Sequence, residues 1–252
     1  MKNNSTKIAL VTGAARGIGK AIALEFLKDG HRVIAIDRNV MNDAALCAAF
    51  PETLWCKELD ITDGAAIKAL PTEIISRWGH VSVLVNNAGI SPKQADGYSA
   101  NIFDTTDAEW NAVIAVNMTA ILHMAQAFLP GMKELGWGRV VNLSSLAGRT
   151  KSISAGISYM ATKAAILGIT RSIAAEMGPF GITANAVAPG RVMTEMSMTA
   201  GADANQKIAN ALPVRRLGEV EEIAKAVIYL ASDAAGFVNG AVIDIYGGIF
   251  MP

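Results

Sequence analysis

Short apolar runs, many of them β-branched, alternate along the chain with longer stretches whose apolar residues recur at helical spacing. Residues 8–11, 32–36, 54–58, 81–85, 139–143, 182–187 and 241–245 read as strands. Residues 17–28, 42–50, 65–78, 108–129, 154–177 and 220–231 read as helices. Such alternation predicts an α/β fold: a doubly wound parallel sheet of about seven strands with helices on both faces. Almost continuously apolar strands such as Arg32-Val33-Ile34-Ala35-Ile36 fit burial on both sides. No repeat, low-complexity tract or Pro/Gly/Ser linker interrupts the pattern, so residues 1–252 are expected to form one domain. Two stretches break the rhythm, 90–106 and 193–217. Both leave strands at their carboxyl ends, where open α/β sheets bind ligands, so both are expected to wall the substrate site.

Residues 8–11 run into Thr12-Gly13-Ala14-Ala15-Arg16-Gly17-Ile18-Gly19 and then a helical pattern. Glycines in a strand-to-helix turn permit positive φ and close backbone approach to a ligand. The helix N-terminus offers unpaired N–H groups to a pyrophosphate. Asp37 closes the second strand, where a carboxylate can accept adenosine ribose hydroxyls and repel a 2′-phosphate. Arg16 and Arg38 pull the other way, because either guanidinium could attract that phosphate. The carboxylate weighs more, and NAD is expected over NADP. Asp60 ends the third strand, where it either touches the adenine or caps the following helix. Asn86-Asn87-Ala88-Gly89 follows the fourth strand and can pin the sheet edge and line a cofactor.

Tyr159 and Lys163 lie four residues apart in the helical stretch 154–177, so phenol and ammonium share a face. A tyrosine of pKa about 10 is a poor base at neutral pH, and a fixed cation favours its phenolate. Ser145 upstream could hold a substrate oxygen at the phenol. Together these groups can move a proton onto or off a carbonyl or carbinol oxygen. Asn117 lies in the apolar run 112–122. As a buried amide it needs partners, either an ordered water behind the lysine or a neighbouring helix.

Composition narrows the picture further. The 252 residues are 52% hydrophobic and 17% charged, enough for a large core. No uninterrupted apolar run is long enough to cross a bilayer, and the polar start Met1–Lys7 does not read as a signal peptide. A formal net charge of zero gives no support for nucleic-acid or anionic-membrane partners. Cys47 and Cys56, the only cysteines, suggest a reducing, cytoplasmic setting and no disulfide framework. His31, His80 and His123 are scattered without metal-ligand spacing, so no metal is expected.

Taken together, Thr12-Gly13-x-x-x-Gly17-x-Gly19, Asp60, Asn86-Asn87-Ala88-Gly89, Asn117, Ser145, Tyr159-x-x-x-Lys163 and Pro189-Gly190 resemble the short-chain dehydrogenase/reductase family. The resemblance runs from Lys7 to Gly248 and implies a Rossmann-type NAD(P)-binding fold. It implies that Tyr159 is the general acid/base, that Lys163 lowers its pKa and holds the nicotinamide ribose, and that Ser145, not Ser144, orients the substrate oxygen. It implies that Asn117 holds the water of a proton relay. Gly13, Arg16, Gly17, Ile18, Gly19, Asp37, Arg38, Asp60, Ile61 and Asn87 would line the dinucleotide. In Pro189-Gly190-Arg191-Val192-Met193-Thr194, Val192 and Thr194 would hold the carboxamide. The Ser145–Tyr159 separation is one residue longer than the commonest family spacing, the loop after Asn87 is long, and Tyr246 stands where a small polar residue is usual.

The expected activity is hydride transfer between a nicotinamide cofactor and a secondary alcohol or ketone of a small molecule. The alternative is a 3-oxoacyl-acyl-carrier-protein reductase, whose acidic partner calls for a basic docking face. The positions where family members of that kind often carry basic residues are Gly136 and Phe180 here, which weakens the alternative. A nucleotide-binding protein without turnover would usually lack part of the tetrad, and here it is whole. Met193, Met196 and Met198 would form an adaptable apolar lid or pack as an ordinary helix. The family also implies a homotetramer.

Overall fold

The computed structural model describes residues 6–39, 43–95, 97–151, 155–194 and 202–251. Seven parallel strands lie in the order β3-β2-β1-β4-β5-β6-β7. They are β1 (Ile8–Thr12), β2 (Arg32–Asp37), β3 (Leu54–Glu58), β4 (Val83–Asn86), β5 (Gly138–Leu143), β6 (Ile182–Pro189) and β7 (Val242–Ile245). The order reverses between β1 and β4, which opens a crevice at their carboxyl ends. Alternate residues of each strand feed opposite faces, as the pleat requires. Ala9 and Val11 pack into one apolar layer with α1 (Gly17–Lys28) and α8 (Val220–Ala231). Ile8 and Leu10 pack into the other with α3 (Gly64–Arg77) and α5 (Ala120–Leu135).

Local chemistry sets the helix ends. Asp63 accepts from Ala65 N and Ala66 N to start α3, and Thr106 accepts from Glu109 N to start α4 (Asp107–Ile114). Glu219 and Glu222 form a reciprocal capping box at α8. Gly136 closes α5 in the left-handed conformation at φ 63°. The short α2 (Ala44–Ala49) is capped by Asp43, and α6 (Ile157–Met177) is the longest helix described.

Three expectations change. The predicted helix 108–129 is α4 and α5 joined by a π-helical turn at Ala115–Thr119, and it runs past Pro130 to Leu135. The stretch 193–217, expected as a loop, contains helix α7 (Ala202–Ala211); Met196 and Met198 lie outside the described residues. With Ile208 as its one large apolar residue, α7 escaped a search for apolar periodicity. Strand β6 continues through Pro189, which occupies the last pair of the ladder, opposite Ile245.

The run Asp107–Leu135 is long and apolar enough, by length and composition, to cross a membrane, and 39% of its most apolar window is buried. Here Val113, Asn117, Ala120, Ile121, Met124, Phe128 and Met132 face the protein interior, while Leu122 is exposed.

Candidate functional site

The turn after β1 is held from β4. Thr12 Oγ1 accepts from Asn87 N and Ala88 N, both at 3.1 Å. Asn87 Nδ2 donates to Thr12 O at 2.9 Å and to Gly13 O at 3.1 Å. Gly13 and Gly17 have φ of 66° and 54°, in the left-handed region where a side chain is strained. Gly19 is required for a different reason: a Cβ there would stand 2.1 Å from Gly13 O and 2.5 Å from Asn87 Nδ2. No side chain caps the first turn of α1, so its N–H groups face the crevice. Thr194 lies over this turn, its Cγ2 3.7 Å from where a Gly17 Cβ would be. This glycine cradle with an uncapped helix start fits a dinucleotide pyrophosphate. A cavity of about 320 Å³ lined by Gly17, Lys20, Met193, Thr194 and Glu221 flanks the turn and does not reach Tyr159.

Gly19→Ala is therefore expected to weaken dinucleotide binding about tenfold or more and to lower the melting temperature, because overpacking against rigid backbone typically costs about 1–3 kcal/mol. Isothermal titration and thermal melting measure both. Wild-type values for the two would show that the turn can shift at no cost.

Asp37 ends β2 beside the same turn. Its carboxylate accepts from Ala15 N and Asn39 N, each at 3.1 Å. Arg16 and Arg38 are exposed at the rim, and Ile18 is half-buried at the start of α1. Asp60 accepts from Thr62 N and Oγ1, both at 2.8 Å, and these bonds with Arg38 hold its carboxyl below the usual range. It does not cap α3, because Asp63 does. Ile61 is buried behind it.

The tetrad residues converge at the ends of β4 and β5. Ala147 N donates to Ser145 Oγ at 3.1 Å, and the Ser145 hydroxyl lies close enough to the Tyr159 phenol to favour its ionised form. Ser144 points elsewhere, donating to Lys163 O at 2.7 Å. Lys163 is 4% exposed and donates from Nζ to Leu143 O at 2.6 Å. Its Nζ lies 5.6 Å from the centre of the Tyr159 ring. Asn117 is fully buried in the π turn, accepting from Ile90 N at 2.8 Å and donating to Ile90 O at 3.0 Å and Thr162 Oγ1 at 3.2 Å. These bonds brace the 90–106 loop against α6. A Cβ on Gly89 would lie 3.3 Å from Asn117 Oδ1 and 3.4 Å from Lys163 Nζ, so a side chain there would crowd both groups.

Burial pushes the Tyr159 phenol up, and Ser145 only partly opposes it. Burial also brings the Lys163 ammonium down to about 8. Desolvation is the largest cause of both shifts. Low dielectric penalises every charge, and the lysine faces a carbonyl instead of a carboxylate.

Pro189 and Gly190 bring the chain past β7, where a Gly190 Cβ would stand 2.9 Å from Tyr246 Cα. Val192 bridges to Gly218, and Met193 N donates to Gly218 O at 2.8 Å. Sequence reading missed Thr12 and Thr162 as braces, although their hydroxyls lie within or beside the motifs. It also missed the ion pair of Arg149, just past Ser145, with Asp244 at 3.0 Å, whose partners stand 95 residues apart. Tyr246 packs at this pair and is pushed up to about 12 by burial and the Asp244 carboxylate.

Comparison with known proteins points in one direction. Residues 13–249 match the family model described as Enoyl-(Acyl carrier protein) reductase. The chain is 41% identical to Nodulation protein G of Azospirillum brasilense over 249 residues, 97% of this chain and 98% of that one. A 3-oxoacyl-acyl-carrier-protein reductase from Brucella melitensis, solved with bound NAD, superposes with a TM-score of 0.89 at 35% identity, over 99% of this chain and 93% of that one. An aldohexose dehydrogenase of Thermoplasma acidophilum superposes with a TM-score of 0.88 at 30% identity, over 98% and 95% of the two chains.

Proposed function

The chain belongs to the short-chain dehydrogenase/reductase family, an oxidoreductase acting on CH–OH and keto groups with a nicotinamide cofactor, and we propose that its substrate is a small free secondary alcohol or ketone. The observation that carries the catalytic assignment is Lys163 Nζ 5.6 Å from the Tyr159 ring, with the Ser145 hydroxyl acting on the phenol, at the carboxyl edge of the sheet. Ser145 donates to the substrate oxygen and fixes it at the phenol. In the reducing direction Tyr159 delivers its proton to that oxygen, and in the oxidising direction it takes the proton back. Lys163 stabilises the phenolate as it forms. Asn117 holds the loop at Ile90 against α6 and so keeps the lysine in place. The nicotinamide supplies or accepts the hydride.

Gly13, Arg16, Gly17, Ile18 and Gly19 form the pyrophosphate side of the cofactor site, with Asp37, Arg38, Asp60, Ile61 and Asn87 toward the adenosine. Tyr159, Lys163, Pro189, Gly190, Val192 and Thr194 form the nicotinamide side. NAD is preferred over NADP, a reading supported by the Asp37 carboxylate bonded to the turn at Ala15 N. Asp37→Ala should erode that preference, because repulsion of a 2′-phosphate is lost while Arg16 and Arg38 remain. Catalytic efficiency with each cofactor tests this, and a wild-type preference for NADP would refute it.

The acyl-carrier-protein reading is favoured by the family model and by the Brucella melitensis neighbour, both named for acyl-carrier-protein reductases, and by one contact in the structure. Lys133 Nζ stands 3.9 Å over the Phe180 ring, so the face around Gly136 and Phe180 is not free of positive charge. A single exposed lysine gives little electrostatic steering, and the small-molecule reading stands. It is supported by the resemblance to the aldohexose dehydrogenase at 30% identity, against 35% for the acyl-carrier-protein reductase. A panel of alcohols, polyols and ketones, run against a 3-oxoacyl thioester of acyl-carrier protein at low and moderate salt, decides between them. The small-molecule reading expects little salt dependence, whereas efficient thioester reduction that falls steeply with salt would reverse the choice. Leu122 and Leu135 of α5, both about half exposed, support assembly into a homotetramer, and the two cysteines of the chain fit a reducing, cytoplasmic setting.

A further inference from the structure

Cys47 and Cys56 are the only cysteines in the chain, and the fold brings their sulfurs to 3.8 Å. Cys47 lies on α2, and Cys56 lies on β3, an edge strand of the sheet. Both thiols are half-buried at the margin of the core, which leaves room for a small oxidant to reach them. Helix α2 has only six residues and is tethered at its start by the Asp43 cap and by a 2.6 Å ion pair from Asp43 to Lys20 of α1. Bond formation requires the sulfurs to close from 3.8 Å to about 2.05 Å.

We propose that Cys47 and Cys56 are a dithiol that a mild oxidant such as hydrogen peroxide closes into an intrachain disulfide, clamping α2 onto β3. The Cys47 thiolate attacks one peroxide oxygen, breaking the O–O bond and becoming a sulfenic acid as hydroxide leaves. Cys56 sulfur then attacks the sulfenic sulfur, the S–O bond breaks, and its proton leaves with the hydroxide as water. Overall, two thiols and one peroxide yield one disulfide and two waters. The order follows from the surroundings. Burial and the neighbouring Cys47 thiol push Cys56 up to about 11, so it stays protonated and acts second.

The clamp sits directly beyond the segment that carries Asp37. Asp37 pairs with Glu58 in the sheet register and Ala35 with Cys56, so the bond ties the outer wall of the proposed adenosine site to the strand beneath it. A reducing compartment keeps the pair open, and closure would report oxidative exposure.

The test treats the native protein with hydrogen peroxide, then counts thiols and maps peptides without reduction. Both thiols should disappear together, with loss of two hydrogens in mass and a Cys47–Cys56 linked peptide within one chain. Dithiothreitol should restore both thiols. Thermal melting of the oxidised protein should rise by about 5 °C, because closing a short loop restricts the unfolded chain. In Cys56→Ala, Cys47 should accumulate a sulfenic acid that dimedone traps, and in Cys47→Ala the remaining thiol should resist the same treatment. Oxygen added to the wild-type cysteines without a linked peptide, or chains cross-linked to each other, would overturn the proposal. Because the mapping uses the unmutated protein, it holds even if a variant folds poorly.

Discussion

Replacing Tyr159 by Phe is expected to lower turnover by about a hundred- to ten-thousand-fold while dinucleotide binding survives, because general acid–base groups typically contribute that much. The ring is kept and packs as before; only the hydroxyl that Ser145 acts on is lost. The same phenol predicts opposite pH trends for the two directions. Burial raises its pKa, so the proton-loaded form prevails near neutrality and carbonyl reduction has its acid in place. Reduction should fall and alcohol oxidation should climb as the solution becomes alkaline and phenolate forms. Steady-state rates in both directions and cofactor titration of the variant check these statements. A variant turning over within a few-fold of wild type would remove Tyr159 from the mechanism.

Lys163→Met is expected to cut turnover by about a hundred-fold or more, since the phenolate loses the cation beside its ring. It should also change stability in a pH-dependent way. The lysine's pKa falls from 10.5 when unfolded to about 8 when buried. Between those values the unfolded chain binds a proton that the native chain does not, so wild-type stability rises with pH across that window. Below about pH 8 the full cost of burying the ammonium is present, on the order of 3 kcal/mol. Methionine avoids that cost but leaves Leu143 O without its donor, a loss of about 1–3 kcal/mol. The melting temperature of the variant relative to wild type should therefore be highest near neutrality and fall from about pH 8 toward 10.5. A difference that stays flat across this range would mean that Lys163 is not titrating in isolation from a charged partner.

Much of the site was legible because its parts are local. The spacing Gly13-x-x-x-Gly17-x-Gly19 encodes a turn, and the turn's requirements are backbone requirements that neighbours in sequence can express. Tyr159 and Lys163 share a helix face at any fixed four-residue separation, and the structure places both on α6. Choosing Ser145 over Ser144 needed the family pattern; in the structure Ser144 bonds the backbone of α6 while Ser145 acts on the phenol. Asp60 was ambiguous because two aspartates precede α3, and only the hydrogen bonds reveal that Asp63 is the cap. Helix α7 was missed since Ile208 is its one large apolar residue, the rest of its apolar residues being alanine, and the π turn at Asn117 was missed since a buried amide in an apolar run looks the same with or without it.

From the sequence alone came the strand–helix alternation, the parallel sheet, the glycine turn and the tyrosine–lysine pair, because each is written in periodicities and spacings shorter than about one element. Only the tertiary structure decided what depends on distant segments meeting. It joined Arg149 to Asp244 and brought Cys47 to Cys56, a pair whose number alone had argued against a bond. It set Lys163 against Leu143 O in place of an acid, and buried Tyr159 and Lys163 so that desolvation is the largest cause of the shift at each. Desolvation is a property of everything packed around a group, and no local pattern of residues records what will pack there.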